Sequence, residues 1–180
     1  MTFLEDNILR LRAVEPDDAD MMWEVESDSG QWIENGMSAP YSRKNLKDYA
    51  ETYDADPIRA GQLRLVIERK MNGGNETVGL IDLYDISSLW RTAYVGIYIL
   101  EKNRRKGYGR RALRIIGKYA RTLLNLRILA AKVAESNSRS RRMFEDAGYS
   151  LTGELKDWIL SGETALNLLI YTKRLSDSVE

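Results

Sequence analysis

The chain has 180 residues, 27 Lys and Arg balanced by 27 Asp and Glu, a net charge of zero and 43% hydrophobic residues. That size and balance suit one globular domain, 1–180, with a full-sized core, and argue against a basic nucleic-acid binder or a disordered acidic chain. There is no His and no Cys, which removes Ser-His and Cys-His nucleophile pairs, thiol catalysis and most zinc sites, so no metal is expected.

No apolar run approaches the roughly 18 residues of a membrane span. The N-terminus, Met-Thr-Phe-Leu-Glu-Asp-Asn, lacks the basic-then-apolar pattern of a signal peptide. A cytoplasmic protein with no membrane partner is the expectation.

Ile8 to Val14 alternates and reads as a strand. Pro16 to Ser27 reads as a helix, with Pro near its start and acids in its first turn. Ser42 to Ala55 reads as a second helix, with Leu46, Tyr49, Ala50 and Tyr53 at helical spacing. Leu63 to Arg69 is a strand, and Asn72-Gly73-Gly74-Asn75 signals a hairpin turn. Thr77 to Ile86 and Thr92 to Leu100 are the next two strands.

The periodicity then changes. Tyr108 to Leu124 reads as an amphipathic helix with Ala112, Ile115, Ile116, Tyr119 and Leu123 on one face. Ile128 to Ala134 is an apolar strand interrupted only by Lys132. Asn137 suits the cap of a short helix ending before Gly148. Tyr149 to Leu155 and Thr164 to Leu175 read as closing strands. The order β-α-α-β-β-β-α-β-α-β-β predicts an α+β (mixed α/β) fold, with antiparallel hairpins first and one strand-helix-strand crossover in the middle.

The loop entering that long helix is the most informative segment. Residues 101–112 read Glu-Lys-Asn-Arg-Arg-Lys-Gly-Tyr-Gly-Arg-Arg-Ala. No Ser, Thr, Asp or Asn lies between Arg104 and Gly109, so the free N–H groups of the first helical turn lack the usual internal acceptor. Two glycines let a ligand approach the backbone. From Lys102 to Ala134 there are eleven Lys and Arg and no acid. A solvated basic helix face would show the same charge run; the glycines and the missing cap favour a phosphate ligand.

Gly107-Tyr108-Gly109-Arg110-Arg111-Ala112 also spells G-x-G-x-x-A, the dinucleotide fingerprint, with Glu135 in the place of the ribose acid. The polar stretch between strand and glycine, the hairpin-linked strands before it and the short chain after Glu135 argue against that fold.

Arg104-x-x-Gly107-x-Gly109 after an apolar strand, then Asn137-Ser-Arg-Ser140, then Phe144-Glu-Asp-Ala-Gly148-Tyr149 form a longer constellation. In these residues the chain resembles the GNAT superfamily of acyl-CoA N-acyltransferases, over about residues 8 to 174. Within it the chain looks most like the branch holding ribosomal-protein N-terminal and spermidine acetyltransferases, through Gly79-Leu-Ile-Asp-Leu-Tyr-Asp-Ile and Gly153-Glu-Leu-Lys-Asp-Trp. The resemblance implies a mixed, mostly antiparallel sheet of six to seven strands, flanked by about four helices, with a splayed central strand pair.

It also implies acetyl-CoA as co-substrate. Its diphosphate would lie on the main chain of Arg104, Arg105, Lys106, Gly107, Tyr108, Gly109 and Arg110, with Lys106 and neighbouring arginines attracting the 3′-phosphate. The pantetheine arm would follow Ile97, Tyr98 and Ile99. Asn137 would bond its amides, Ser140 would keep the channel wide, and Phe144 would lie beside the thiol. The implied reaction is direct attack of a neutral amine on the thioester, with a main-chain N–H of the Ile97–Ile99 strand on the oxyanion and a carboxylate, Asp82 or Asp85, taking the ammonium proton through water. The odd spacing of these two acids places at most one in the site unless a bulge intervenes.

Two positions depart from the family pattern. Phe144 stands where a Tyr often protonates the departing thiolate, and Tyr94 where a Glu is frequent. Tyr98 or Tyr149 are substitutes for the first. The acceptor is a small-molecule or peptide amine: a polyamine, a peptide N-terminus or an amino sugar. Seven acids and no base between Glu15 and Asp28 would suit a polyamine as an acidic wall, or are simply a solvated helix face. Trp23, Trp32 and Tyr41 would line the cleft or pack the core. A homodimer or higher homo-oligomer is compatible with the resemblance. A non-catalytic acyl-CoA-binding module is the alternative function, and nucleic-acid binding through the Arg-rich helix is disfavoured by the zero net charge.

Overall fold

The computed structural model describes residues 2–28, 32, 39–53 and 55–176. Seven strands form one sheet in the order β1-β2-β3-β4-β5-β7-β6. They are β1 (Leu9–Ala13), β2 (Leu63–Arg69), β3 (Glu76–Ser87), β4 (Thr92–Ile99), β5 (Ile128–Ala134), β6 (Ser150–Ser161) and β7 (Thr164–Arg174). Five helices accompany them among the described residues: α1 (Ala19–Glu26), α2 (Arg43–Glu51), the single turn α3 (Pro57–Ala60), α4 (Tyr108–Thr122) and α5 (Ser138–Asp146). Every ladder is antiparallel except β4 with β5.

Strand alternation sorts the core into two layers. Leu11, Ile67, Ile81, Val95, Leu129 and Tyr171 face one side, where Leu113, Ile116 and Phe144 of α4 and α5 meet them. Val14, Val66 and Leu80 face the other, against Met22 of α1 and Leu46 and Ala50 of α2. The apolar stripe of α4 carries Ala112, Ile116 and Ala120, all fully buried.

Several boundaries differ from the sequence expectation. The first helix begins as a 3-10 turn, Pro16–Asp18, before α1. Ser42 is the N-cap of α2, its hydroxyl accepting from Asn45 N–H at 3.0 Å. That helix ends at Glu51, short of Ala55, because Tyr53 is drawn off to the sheet: its hydroxyl bonds the N–H and C=O of Arg64 at 3.0 and 3.1 Å. β6 runs to Ser161, well past Leu155, through a bulge between Leu155 and Ile159.

The feature that makes a site is the junction of β4 and β5. They pair only at Thr92, Ala93 and Tyr94 with Ile128, Leu129 and Ala130. Beyond that β4 follows β3 while β5 follows β7 to Ala134, so the two strands diverge. Gly79 lets β3 close tightly on β4: an added Cβ there would lie 2.1 Å from Tyr98 O.

Candidate functional site

Divergence leaves one edge of β4 open. Leu100 N–H donates to Val78 O at 2.9 Å, which sets the phase of the antiparallel ladder: Tyr98 and Gly96 direct their main-chain groups to β3, and Val95, Ile97 and Ile99 direct theirs the other way. Arg91 O accepts from Arg127 and Ile128 on the β5 side, in the same phase. Of the three residues Ile97, Tyr98 and Ile99, only the two isoleucines offer main-chain N–H groups to the gap; Tyr98 offers its ring.

The start of α4 lies beyond the end of β4. Gly107 is its N-cap, with φ 78° and no side-chain cap bond, and Arg105 also has a positive φ of 62°. The first helical N–H with an internal acceptor is that of Arg111, 3.2 Å from Gly107 O. Those of Tyr108, Gly109 and Arg110 have none among the described residues. Gly109 packs under α5, where an added Cβ would lie 2.4 Å from Met143 Sδ. Arg105, Lys106, Gly107 and Arg110 are exposed.

Three residues of this loop make structural contacts. Arg104 turns back, Nε donating to Ile99 O at 3.0 Å with its guanidinium 5.4 Å from the Tyr98 ring, so its side chain fastens loop to strand. The Tyr108 ring is buried in the core, and its hydroxyl accepts from Arg69 Nη1 at 3.5 Å; only its N–H belongs to the loop face. Lys106 Nζ donates to Asn103 Oδ1 at 3.0 Å.

A cleft of about 990 Å³ passes through the gap between the sheet's two faces. Ile97, Asn137, Ser140 and Phe144 line it on the α5 side, while the Tyr98 ring, opposite Leu80, lines it on the α1 side. Asn137 Oδ1 accepts from Ser140 N–H at 3.0 Å, so this residue caps α5 and borders the cleft at once. Tyr149 does not line the cleft; it is buried against Phe144, ring centroids 5.1 Å apart, with a hydroxyl that has no hydrogen-bond partner among the described residues. Burial pushes that hydroxyl's pKa up, which makes Tyr149 unsuitable for donating to a thiolate in the cleft.

The opposite wall is made by α1, α2 and the second face of β2–β4. Asp82 lines it, with both oxygens held by Arg64: Nε at 2.8 Å and Nη2 at 2.9 Å. Arg64 Nη1 also donates to Glu26 Oε1 at 2.9 Å. Burial alone would lower the Arg64 pKa; Asp82 first, then Glu26, more than reverse this and hold the guanidinium above its ordinary value. Asp85 lies on the bulge between Tyr84 and Ser87 with φ 50°, and it is exposed and outside the cleft.

Three of the seven acids between Glu15 and Asp28 are ion-paired. Asp18 holds Arg12, Asp20 bonds Arg43, and Glu26 holds Arg64. Trp23 stacks under Arg43 at 4.0 Å, Trp32 Nε1 donates to Glu26 O at 2.8 Å, and Tyr41 lines the cleft. Tyr84 and Tyr94 stack at 5.5 Å, with Lys132 Nζ 4.2 Å from the Tyr94 ring centre. Burial, then Asp85 and Tyr94, push the Tyr84 hydroxyl up to about 12, and burial does the same for Tyr49, so both stay neutral.

Arg64, Lys132 and Trp158 border this cleft and were not singled out from sequence as site residues; Glu26, one of the seven acids offered as an acidic wall, borders it too. Lys132 had a signal, as the one polar residue of an apolar strand. Among the described residues no cluster of acids could hold a metal ion, and no helix is long and apolar enough to cross a membrane.

A family model described as an acetyltransferase (GNAT) domain matches residues 9–150. Spermidine N(1)-acetyltransferase of Escherichia coli (strain K12) is 25% identical over 169 residues, covering 91% of this chain and 86% of that protein. A Bacillus subtilis (strain 168) protein put forward as a ribosomal N-acetyltransferase is 27% identical over 173 residues, covering 91% and 90%. The solved structure of spermidine N-acetyltransferase from Vibrio cholerae in complex with CoA and spermine superposes with a TM-score of 0.82 at 20% identity, over 94% of this chain and 97% of that one.

Proposed function

The chain belongs to the acetyltransferase (GNAT) family, and on that premise we propose that it moves an acetyl group from acetyl-CoA to a primary amine by direct attack. One observation carries this reading: three uncapped N–H groups at the start of α4 lie beyond a strand whose open edge presents the Ile97 and Ile99 amides. The first set suits a diphosphate, the second the amide-bearing arm and the oxyanion.

In this reading Arg105, Lys106 and Arg110 supply cations around the phosphates, while Asn137, Ser140 and Phe144 shape the passage for the arm. The amine enters from the α1 side, and its lone pair attacks the thioester carbon. The C–N bond forms, the C–S bond breaks, and coenzyme A leaves as the thiolate. Asp82 receives the ammonium proton through water: Arg64 takes one lone pair of each oxygen, and each keeps another. With Phe144 unable to donate, the thiolate takes its proton from Tyr98 or from solvent; a thiol with a pKa near 8.5 is a tolerable leaving group unaided.

Spermine and coenzyme A are ligands of the Vibrio cholerae structure, and a related structure of that enzyme is dodecameric; a homo-oligomeric cytoplasmic enzyme acting on an amine is the corresponding proposal here. The test is thiol release from acetyl-CoA across polyamines, peptides and amino sugars. Release with at least one class supports the reading. Heat of acetyl-CoA binding without turnover on any class would favour the second reading, a non-catalytic acyl-CoA-binding module, for which Phe144 in the cleft is the motivating observation.

A further inference from the structure

β6 is an edge strand with an unusual break. Leu155 pairs with Leu168 and Ile159 with Leu166, so Lys156, Asp157 and Trp158 face the single residue Asn167. Asp157 takes φ 52° there, and its N–H donates to Asn167 Oδ1 at 3.0 Å. Asn167 is itself fixed on three more sides. Its N–H donates to Glu135 Oε1 at 2.6 Å, its C=O accepts from Glu135 N–H at 3.0 Å, and its Nδ2 donates to Glu154 Oε1 at 2.7 Å. A bulge held this firmly re-aims a side chain.

The side chain it presents is Trp158, 64% exposed yet part of the cleft lining. No core contact explains an indole there. The charged side chains that line the same cleft are already committed. Of the cleft's carboxylates among the described residues, Glu26 and Asp82 both hold Arg64, and Lys132 lies over Tyr94. Among the described residues two cations and two carboxylates leave the cleft lining neutral, with aromatic faces as its remaining attraction for an ammonium group.

Resting on the reading of the chain as an amine acetyltransferase, we infer that Trp158, held by the Asn167-anchored bulge, is the acceptor-specificity residue and selects an amine with one ammonium group on an apolar body. A polyamine would set its second and third charges against Arg64 and Lys132. A singly charged amine meets indole and phenol faces instead. Asn167 is a positioning residue in this account.

The probes are phenethylamine, with one charge and an apolar body, and spermidine, with three charges. With acetyl-CoA saturating, phenethylamine should exceed spermidine in kcat/KM by about tenfold. Trp158→Ala should raise KM for phenethylamine about tenfold while leaving kcat within about twofold, and Trp158→Phe should restore KM to within about threefold. Asn167→Ala should raise KM without changing acetyl-CoA affinity. In the presence of coenzyme A, phenethylamine should change the protein's tryptophan emission, and Trp158→Phe should abolish that change. An unchanged KM in Trp158→Ala, or a preference for spermidine, overturns the inference and leaves the acetyltransferase reading standing. Absence of thiol release with every amine overturns that reading, and the emission titration still decides whether the indole meets a bound amine. If the exposed Leu151, Leu160 and Trp158 of β6 instead cover one another between two copies of the chain, the emission follows protein concentration and ignores the amine, which also overturns it.

Discussion

At the start of α4 the uncapped groups are main-chain N–H groups, with Arg105 and Arg110 exposed beside them. In the cleft wall beside α1 the polar groups are side chains: Glu26 and Asp82 share Arg64, and Lys132 in the same lining balances the second carboxylate. The first end depends on backbone conformation and tolerates many side chains. The second depends on which acid finds which arginine. If the proposed function holds, a fold built this way would keep one cosubstrate while the wall beside α1 is rewritten by a few substitutions.

The sharpest way to break that contrast is Asp82→Asn. It keeps the side chain's size but only one of the two Arg64 hydrogen bonds, and it removes the proton acceptor, so kcat/KM for the amine should fall about 100-fold, with acetyl-CoA affinity unchanged by calorimetry. A matching loss of acetyl-CoA affinity would mean the two ends are not separable. Gly107→Val is the reciprocal change. A β-branched residue at φ 78° is strained, and the displaced loop should weaken acetyl-CoA binding about 30-fold while the amine KM at saturating acetyl-CoA stays within about twofold.

Asn137→Ala probes the seam between the ends. It removes the cap of α5, so about 1 kcal/mol of stability should be lost in urea unfolding, with acetyl-CoA affinity down about fivefold. The smallest effect concerns pH. Asp18 is buried; burial alone would raise its pKa, but the bonds from Arg12 and Glu15 N–H lower it overall. Glu68, also opposed by burial, is lowered by Arg12 and Arg10. Carboxylates depressed in the folded state contribute stability that is full above their unfolded values, near 4, and is lost as pH falls below them. Asp18→Asn should therefore cost about 2 kcal/mol at pH 7 and less at pH 3, by unfolding at the two pH values.

The same contrast governs what the amino-acid sequence discloses. The α4 loop was legible because its rules are local: two glycines, an absent cap and a basic run within a dozen residues. The apolar stripe of α4 and the Gly73-Gly74 turn are of the same kind. The wall beside α1 was not legible. Arg64 reaches Asp82 across 18 residues and Glu26 across 38, and no short-range pattern says which acids of α1 stay open. Seven acids without a base suggested an acidic surface; three of them are bound to Arg12, Arg43 and Arg64. The odd spacing of Asp82 and Asp85 showed that strict alternation could not serve both, and the bulge that turns Asp85 out to solvent belongs to the β3–β4 register. Trp158 was hidden for a similar reason, since the three-residue bulge before Ile159 is set by Asn167 from the next strand.

The short β4–β5 pairing has a further consequence, in how the empty protein breathes. Tyr98 N–H is locked into the β3 ladder, whereas the N–H groups of Ile97 and Ile99 face a wedge that no strand fills. Deuterium should therefore enter this strand at alternate residues, quickly at 97 and 99 and slowly at 98. Acetyl-CoA lying in the wedge would act as the missing strand and even out the pattern.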